Sequence, residues 1–142
     1  MFSAVRDRAW VEWRFLSAPH RKYVVTIAER GAAPIGYSAH YVVRSERTTH
    51  GVLADILTKT ADRATRETLL SNMIAELRAG NAESLATLAI PGTAHYRWLR
   101  RAGFFPRSEF SVEMVPLRPG LPVEAMRHAQ NWTLSGADFD VV

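Results

Sequence analysis

Between Gly51 and Arg66 the sequence sets one acid and several cations close together: Asp55 lies inside the apolar run VLADIL, and Lys59, Arg63 and Arg66 follow it. A carboxylate among Val, Leu, Ala and Ile is either hydrogen-bonded to structure or held for a reaction. The three cations suit an anionic group, met through charge-assisted hydrogen bonds, or else they form a solvated basic loop. A second cluster, Arg97, Arg100 and Arg101, has the same two readings, a solvated face or a seat for an anionic cofactor. The five histidines (His20, His40, His50, His95, His128) are dispersed, so no metal site is expected. Cysteine is absent, which removes disulfides, thiolate nucleophiles and Cys-based zinc sites.

These residues belong to a chain of 142 residues, a length that predicts one domain over 1–142. A compact domain of this size buries roughly 70% of its unfolded surface, enough for one core. The apolar fraction of 47% and charged fraction of 23% are those of an ordinary globular protein. No run approaches the roughly 20 apolar residues needed to span a bilayer. Arg6, Asp7, Arg8 and Glu12 interrupt the N-terminal apolar residues, so that segment does not read as a secretory signal, and a cytoplasmic location is expected. The net charge of +4 would admit nucleic acid, yet no helix-turn-helix, zinc-finger or ribonucleoprotein motif is present. No nucleic-acid partner is therefore expected.

The elements that must position Asp55 and the cations can be read in order. Val5, Ala9, Trp13 and Leu16 recur near helical spacing, predicting a helix over 4–16 that Pro19 ends. KYVVTIAE (22–29) and IGYSAHYVVR (35–44) flank the turn cluster RGAAP and predict an antiparallel hairpin. In the second strand Ile35, Tyr37, Ala39, Tyr41 and Val43 share one face, with Ser38, His40 and Val42 on the other. VLADIL is apolar on both faces and so reads as a central strand, with Val52, Ala54 and Ile56 opposing Leu53, Asp55 and Leu57. Asp62 is placed to cap a helix whose Leu69, Leu70, Met73, Ile74 and Leu77 form a stripe ending at Gly80. ESLATLAI (83–90) predicts a strand, and Thr93 to Gly103 a capped helix. SEFSVEMVPL (108–117) alternates as another strand, and NWTLSGADFDVV (131–142) reads as a final one.

This order (helix, hairpin, strand, basic loop, helix, strand, helix-Gly-Phe, strand, strand) resembles the Gcn5-related N-acetyltransferase (GNAT) superfamily from its second helix onward. More narrowly, Trp13-Arg14-Phe15 with Pro19 and Tyr23, Asp55-Ile56-Leu57, and Trp132, Leu134, Asp138 and Asp140 look like the C-terminal acetyltransferase-like domains of bacterial cell-wall and polysaccharide-related proteins. The resemblance implies an α/β (α+β) fold with a mixed, mostly antiparallel central sheet flanked by helices, lacking the first strand and helix. It also implies that a second copy of the chain, giving a dimer, or a separate N-terminal domain completes the sheet.

The activity it implies is transfer of an acyl group from acetyl-CoA or another acyl-CoA to an amine, without a metal. In that reading Ile56, Leu57 and Thr58 lie along the acyl-pantetheine. Lys59, Arg63, Ala64, Thr65 and Arg66 face the CoA phosphates, with Ala64 and Arg66 standing where the superfamily carries glycines. Asp55 is the candidate base. Tyr96 is the candidate acid for the departing thiolate, one turn before the superfamily's usual tyrosine position, which is Leu99 here; its other reading is packing with a hydrogen-bonded hydroxyl. Glu113 is a lesser candidate base. The alternative to an enzyme is a catalytically inactive interaction or structural module of the same fold, with Trp10, Trp13, Tyr37 and Tyr41 as a contact surface.

Overall fold

A computed structural model describes residues 3–59, 62–108 and 119–138. The described residues fall into two units, one comprising 5–88 with 135–138 and the other 89–134 with the first residues of the chain.

The larger unit is built on a four-stranded sheet in the order β1-β2-β3-β4. Strands β1 (Val24–Arg30) and β2 (Ala33–Arg44) form the expected antiparallel hairpin, turning through Gly31 at φ 65°, a left-handed geometry that glycine adopts without strain. β3 (Thr49–Thr58) pairs antiparallel with β2, and β4 (Ser84–Thr87) pairs parallel with β3. β3 is thus central, as its two apolar faces require. The parallel pairing is short: it runs from His50↔Ser84 to Leu53↔Thr87, while β3 continues to Thr58.

Helix α1 (Arg8–Val11) is capped by Asp7 and runs into a π-turn over Glu12–Leu16, later in its start than the periodicity suggests. It lies over one face of the sheet, where Phe15, Ala39, Tyr41, Ala54 and Ala137 form a buried cluster ringed by Trp10, Val11, Tyr23, Val25, Tyr37 and Val52. Phe15 is the hub, with edge-on rings of Trp10 and Tyr23 at 5.5 and 5.1 Å. Of the aromatics proposed as a contact surface, Tyr41 is buried, Trp10 and Tyr37 pack on this cluster, and Trp13 alone is largely exposed at 67%.

Helix α2 (Arg63–Ala79) covers the opposite face with Leu69, Leu70, Met73 and Leu77. Gly51 permits that approach, since a Cβ there would stand 2.5 Å from Leu77 Cδ1. Gly80 ends the helix as expected, but Asn81, at φ 60°, carries the left-handed turn.

In the second unit, α3 (Ala94–Arg101) is capped by the Thr93 hydroxyl on the Tyr96 N–H and ends before Gly103 at φ 96°. α4 (Val123–Met126) is a single helical turn. The strand expected over 108–117 lies almost wholly outside the described residues, as does Glu113. The final strand expected over 131–142 is a correction as far as residue 138, since residues 129–131 and 136–138 form two short 3₁₀ turns, and 139–142 lie outside the described residues. Ser135 and Asp138 explain the second, because the Ser135 N–H donates to Asp138 Oδ2 at 2.8 Å and curls the segment on itself. No helix among the described residues is long and apolar enough to cross a membrane.

Candidate functional site

The β2–β3 ladder contains the feature that aims Asp55. Ala39 pairs with Asp55 and His40 with Leu53, so Ala54 is an extra residue on β3. A bulge of this kind breaks the two-residue alternation. Asp55 consequently joins Tyr37 and Ala39 on the α1 face, instead of continuing the α2-facing row of Gly51 and Leu53. The strict alternation read from the sequence holds only up to this point.

On that face Asp55 is 4% exposed and fully engaged. Its Oδ2 accepts from Arg6 Nε at 2.7 Å and from the Tyr37 hydroxyl at 2.6 Å, and its Oδ1 accepts from the Ile56 N–H at 3.1 Å. Arg6, only 5% exposed, extends the network by donating to Asp138 Oδ2 at 2.7 Å and to Ser135 Oγ at 3.3 Å, and its guanidinium sits 5.1 Å from the Trp10 ring. Burial works against the Arg6 charge, but the Asp55 and then the Asp138 carboxylates outweigh it and raise its pKa. Burial raises the Tyr37 phenol far above its ordinary range, and the negative charge of Asp55 adds to that. Tyr37 is therefore a fixed donor and not an acid in the neutral range. Arg14, 8% exposed, donates to the Ala137 carbonyl at 2.8 Å and pins the same C-terminal turn.

Arg6, Tyr37, Ser135 and Asp138 were not assigned to a site from the sequence. The signals available were indirect: Asp55 as a lone acid in an apolar strand, and Arg14 and Asp138 within the motifs of the family resemblance.

The cations lie beyond the C-terminal end of β3. Lys59 is exposed, and its N–H donates to the Ile35 carbonyl at 3.1 Å. Peptide groups along a strand alternate between its two edges. The Leu57 N–H therefore also faces β2, and those of Ile56 and Thr58 face the edge on which pairing with β4 has already ended. Arg66 reaches back from α2 with Nη2 3.4 Å from Thr58 Oγ1, and burial lowers its pKa.

Arg63 is exposed and paired with Glu67 at 2.6 Å, while Ala64 is exposed and Thr65 half-buried. The helix start is capped by Asp62, whose Oδ1 accepts from the Thr65 N–H at 3.0 Å and whose Oδ2 meets Arg30 at 3.4 Å. That backbone hydrogen bond lowers the Asp62 pKa. The structure thus gathers Ile56, Leu57, Thr58, Lys59, Arg63, Ala64, Thr65 and Arg66 around the junction of β3 with α2, and it places one negative charge among them.

Tyr96 belongs to the second unit, where it is half-buried in the first turn of α3. No group of three or more His, Asp or Glu side chains gathers among the described residues. The histidines are not all apart from acids, however: Glu124 and His128 stand one helical turn apart with 4.0 Å between them.

No family model matches the sequence, and no curated protein matches it. Solved structures do resemble the fold. A putative acetyltransferase from Agrobacterium tumefaciens superimposes with a TM-score of 0.61 at 14% identity, covering 78% of this chain and 81% of that one. An aminoglycoside acetyltransferase from an uncultured soil metagenomic sample gives 0.58 at 12% identity, covering 82% and 78%. A GCN5-related N-acetyltransferase from Ralstonia eutropha gives 0.55 at 17% identity, covering 65% of each chain. The mixed sheet, its central strand and its flanking helices have the fold of the GCN5-related N-acetyltransferases.

Proposed function

We propose that the chain binds an acyl-CoA along the edge of β3 and transfers the acyl group to an amine. One observation carries this reading: β3 runs on to Thr58 after its pairing with β4 stops at Leu53↔Thr87, so the Ile56 carbonyl and the Thr58 N–H face an edge without a β4 partner, and that edge leads to the start of α2. Pantetheine carries amides that pair with such an edge as a strand would. The Ile56 carbonyl would then take a pantetheine N–H and the Thr58 N–H the thioester oxygen, whose charge grows as the amine attacks, while the Ile56 N–H stays on Asp55.

Attack of the amine nitrogen on the thioester carbon forms a tetrahedral intermediate. Its collapse breaks the C–S bond; the nitrogen's proton passes to solvent water, and the thiolate takes one up from solvent. Asp55 takes an anchoring role: it is buried and its carboxylate is held by Arg6, Tyr37 and the Ile56 N–H, which leaves an amine no open approach to it. Lys59, Arg63 and Arg66 would meet the phosphates through side chains, with the Ala64 amide behind them and the Thr65 amide available once Asp62 gives it up. The donor is acetyl-CoA or a close relative, and the cytoplasm, where such donors are made and used, is the compartment proposed.

A second reading, an inactive module of the same fold, is favoured by the acidic cap. Asp62 already occupies the Thr65 amide where a phosphate would sit. Incubation with acetyl-CoA and a panel of amines, followed by detection of released CoA thiol and acylated product, separates the two. Amine-dependent thiol release is expected of the enzyme, and no release with any amine would leave the module.

A further inference from the structure

We propose that two copies of this chain associate through the outer edge of β1, as an antiparallel strand pair with its two-fold axis at Val25. β1 ends the sheet, and among the described residues no strand pairs with its outer side. The hairpin closes on Arg30↔Ala33 across two residues, and in such a hairpin the closing pair exchange their hydrogen bonds. Arg30 therefore turns its peptide groups toward β2, and by alternation so do Ala28, Thr26 and Val24. Those of Val25, Ile27 and Glu29 face outward. The register irregularity does not disturb this, because Glu29 pairs with Pro34 and Ala28 with Gly36, leaving the extra residue, Ile35, on β2.

An outward row of strand amides is a template for another strand, and edges that avoid this carry lysine or proline. Val24 to Ala28 carries neither, and its Ile27 is 58% exposed. Side-chain charge then selects the occupant and the register. Tyr23 packs on Phe15 and Tyr41, and Arg21 lies 4.2 Å over the Tyr41 ring, so both share the face of Val25. With Val25 opposite its own copy, Ile27 meets Tyr23 and Glu29 meets Arg21, each twice, while His20 and Arg30 meet at the rim. Centring on Thr26 would set Lys22 against Arg30, and centring on Ile27 would set Glu29 against Val25. A second copy thus supplies both the apolar and the charged complement.

The absence of native cysteine makes the test direct. Sedimentation velocity across concentration is expected to give a dimer. Val25→Cys is expected to form a disulfide-linked dimer under mild oxidation, and Thr26→Cys, on the opposite face of the strand, is not. Ile27→Lys should weaken association at least about tenfold. Arg21→Glu or Glu29→Arg alone should also weaken it, and the double reversal should restore it. A monomer at every concentration would leave this edge to another kind of strand and overturn the proposal. A dimer indifferent to Ile27→Lys and without the Val25→Cys cross-link would overturn it too.

Discussion

Two carboxylates near the ends of one strand-to-helix segment have opposite surroundings. Asp55 is buried, with Arg6, Tyr37 and the Ile56 amide as partners, and its network reaches Asp138 and Ser135. Asp62 is half-buried, held by a helix amide and a distant Arg30 contact. The first arrangement joins the start of the chain, the sheet and the C-terminal turn. The second leaves its charge at the place where an anion would approach. In the proposed reading chemistry therefore belongs to the junction of β3 and α2, while the buried acid holds the fold around it.

Removing the cation has the largest expected effect. Arg6→Met leaves Asp55 and Asp138 facing each other without compensation, and loss of one partner from a buried ion pair costs about 3–5 kcal/mol. Urea denaturation should record a loss of that size; a loss near zero would mean that the network is solvated and does not anchor the C-terminal turn. Next in size is the opposite face. Gly51→Ala pushes a methyl into Leu77, and overpacking of this kind costs about 1–3 kcal/mol, read from the same denaturation curves.

A pH effect comes from that face as well. His40 is 1% exposed, its Nε2 is 3.8 Å from Glu76, and burial lowers its pKa against the weaker pull of Glu76. Below its ordinary value near 6.5 the unfolded chain takes up a proton that the folded chain refuses. Stability should therefore fall as pH drops from about 6.5 toward the lowered folded value. Denaturation at a series of pH values should show this slope, reduced in His40→Phe. An equal slope in both would assign the effect to another group.

Asp62→Asn sharpens the comparison from the other side. Asparagine caps helices as well as aspartate does, so stability should barely change, whereas acetyl-CoA affinity should rise several-fold as one opposing charge leaves. The smallest effect expected is that of Arg63→Ala. Its partner Glu67 is exposed, and such pairs contribute well under about 0.5 kcal/mol.

The residues also explain what was legible in advance. The β1–β2 hairpin, the central place of β3 and the caps at Asp62 and Thr93 follow from alternation, apolar content and local hydrogen bonding, all short-range signals. Asp55 was conspicuous for the same reason. Its partners were not, because Arg6 and Tyr37 lie 49 and 18 positions away and only the folded sheet brings them together. The bulge at Ala54 leaves no mark in a run of small and aliphatic residues, yet it decides which face the carboxylate takes. The C-terminal segment alternates well enough to read as a strand. Its Ser135 and Asp138 instead satisfy each other locally and then Arg6, a competition that periodicity does not register.

Calorimetric titration with acetyl-CoA of the unmodified protein and of Arg66→Glu tests the central claim most directly. Saturable micromolar binding, lost in Arg66→Glu while its unfolding curve keeps its cooperativity, is the predicted result. Absence of binding to the unmodified protein, or equal binding by both, would contradict the assignment of the β3–α2 junction as the site.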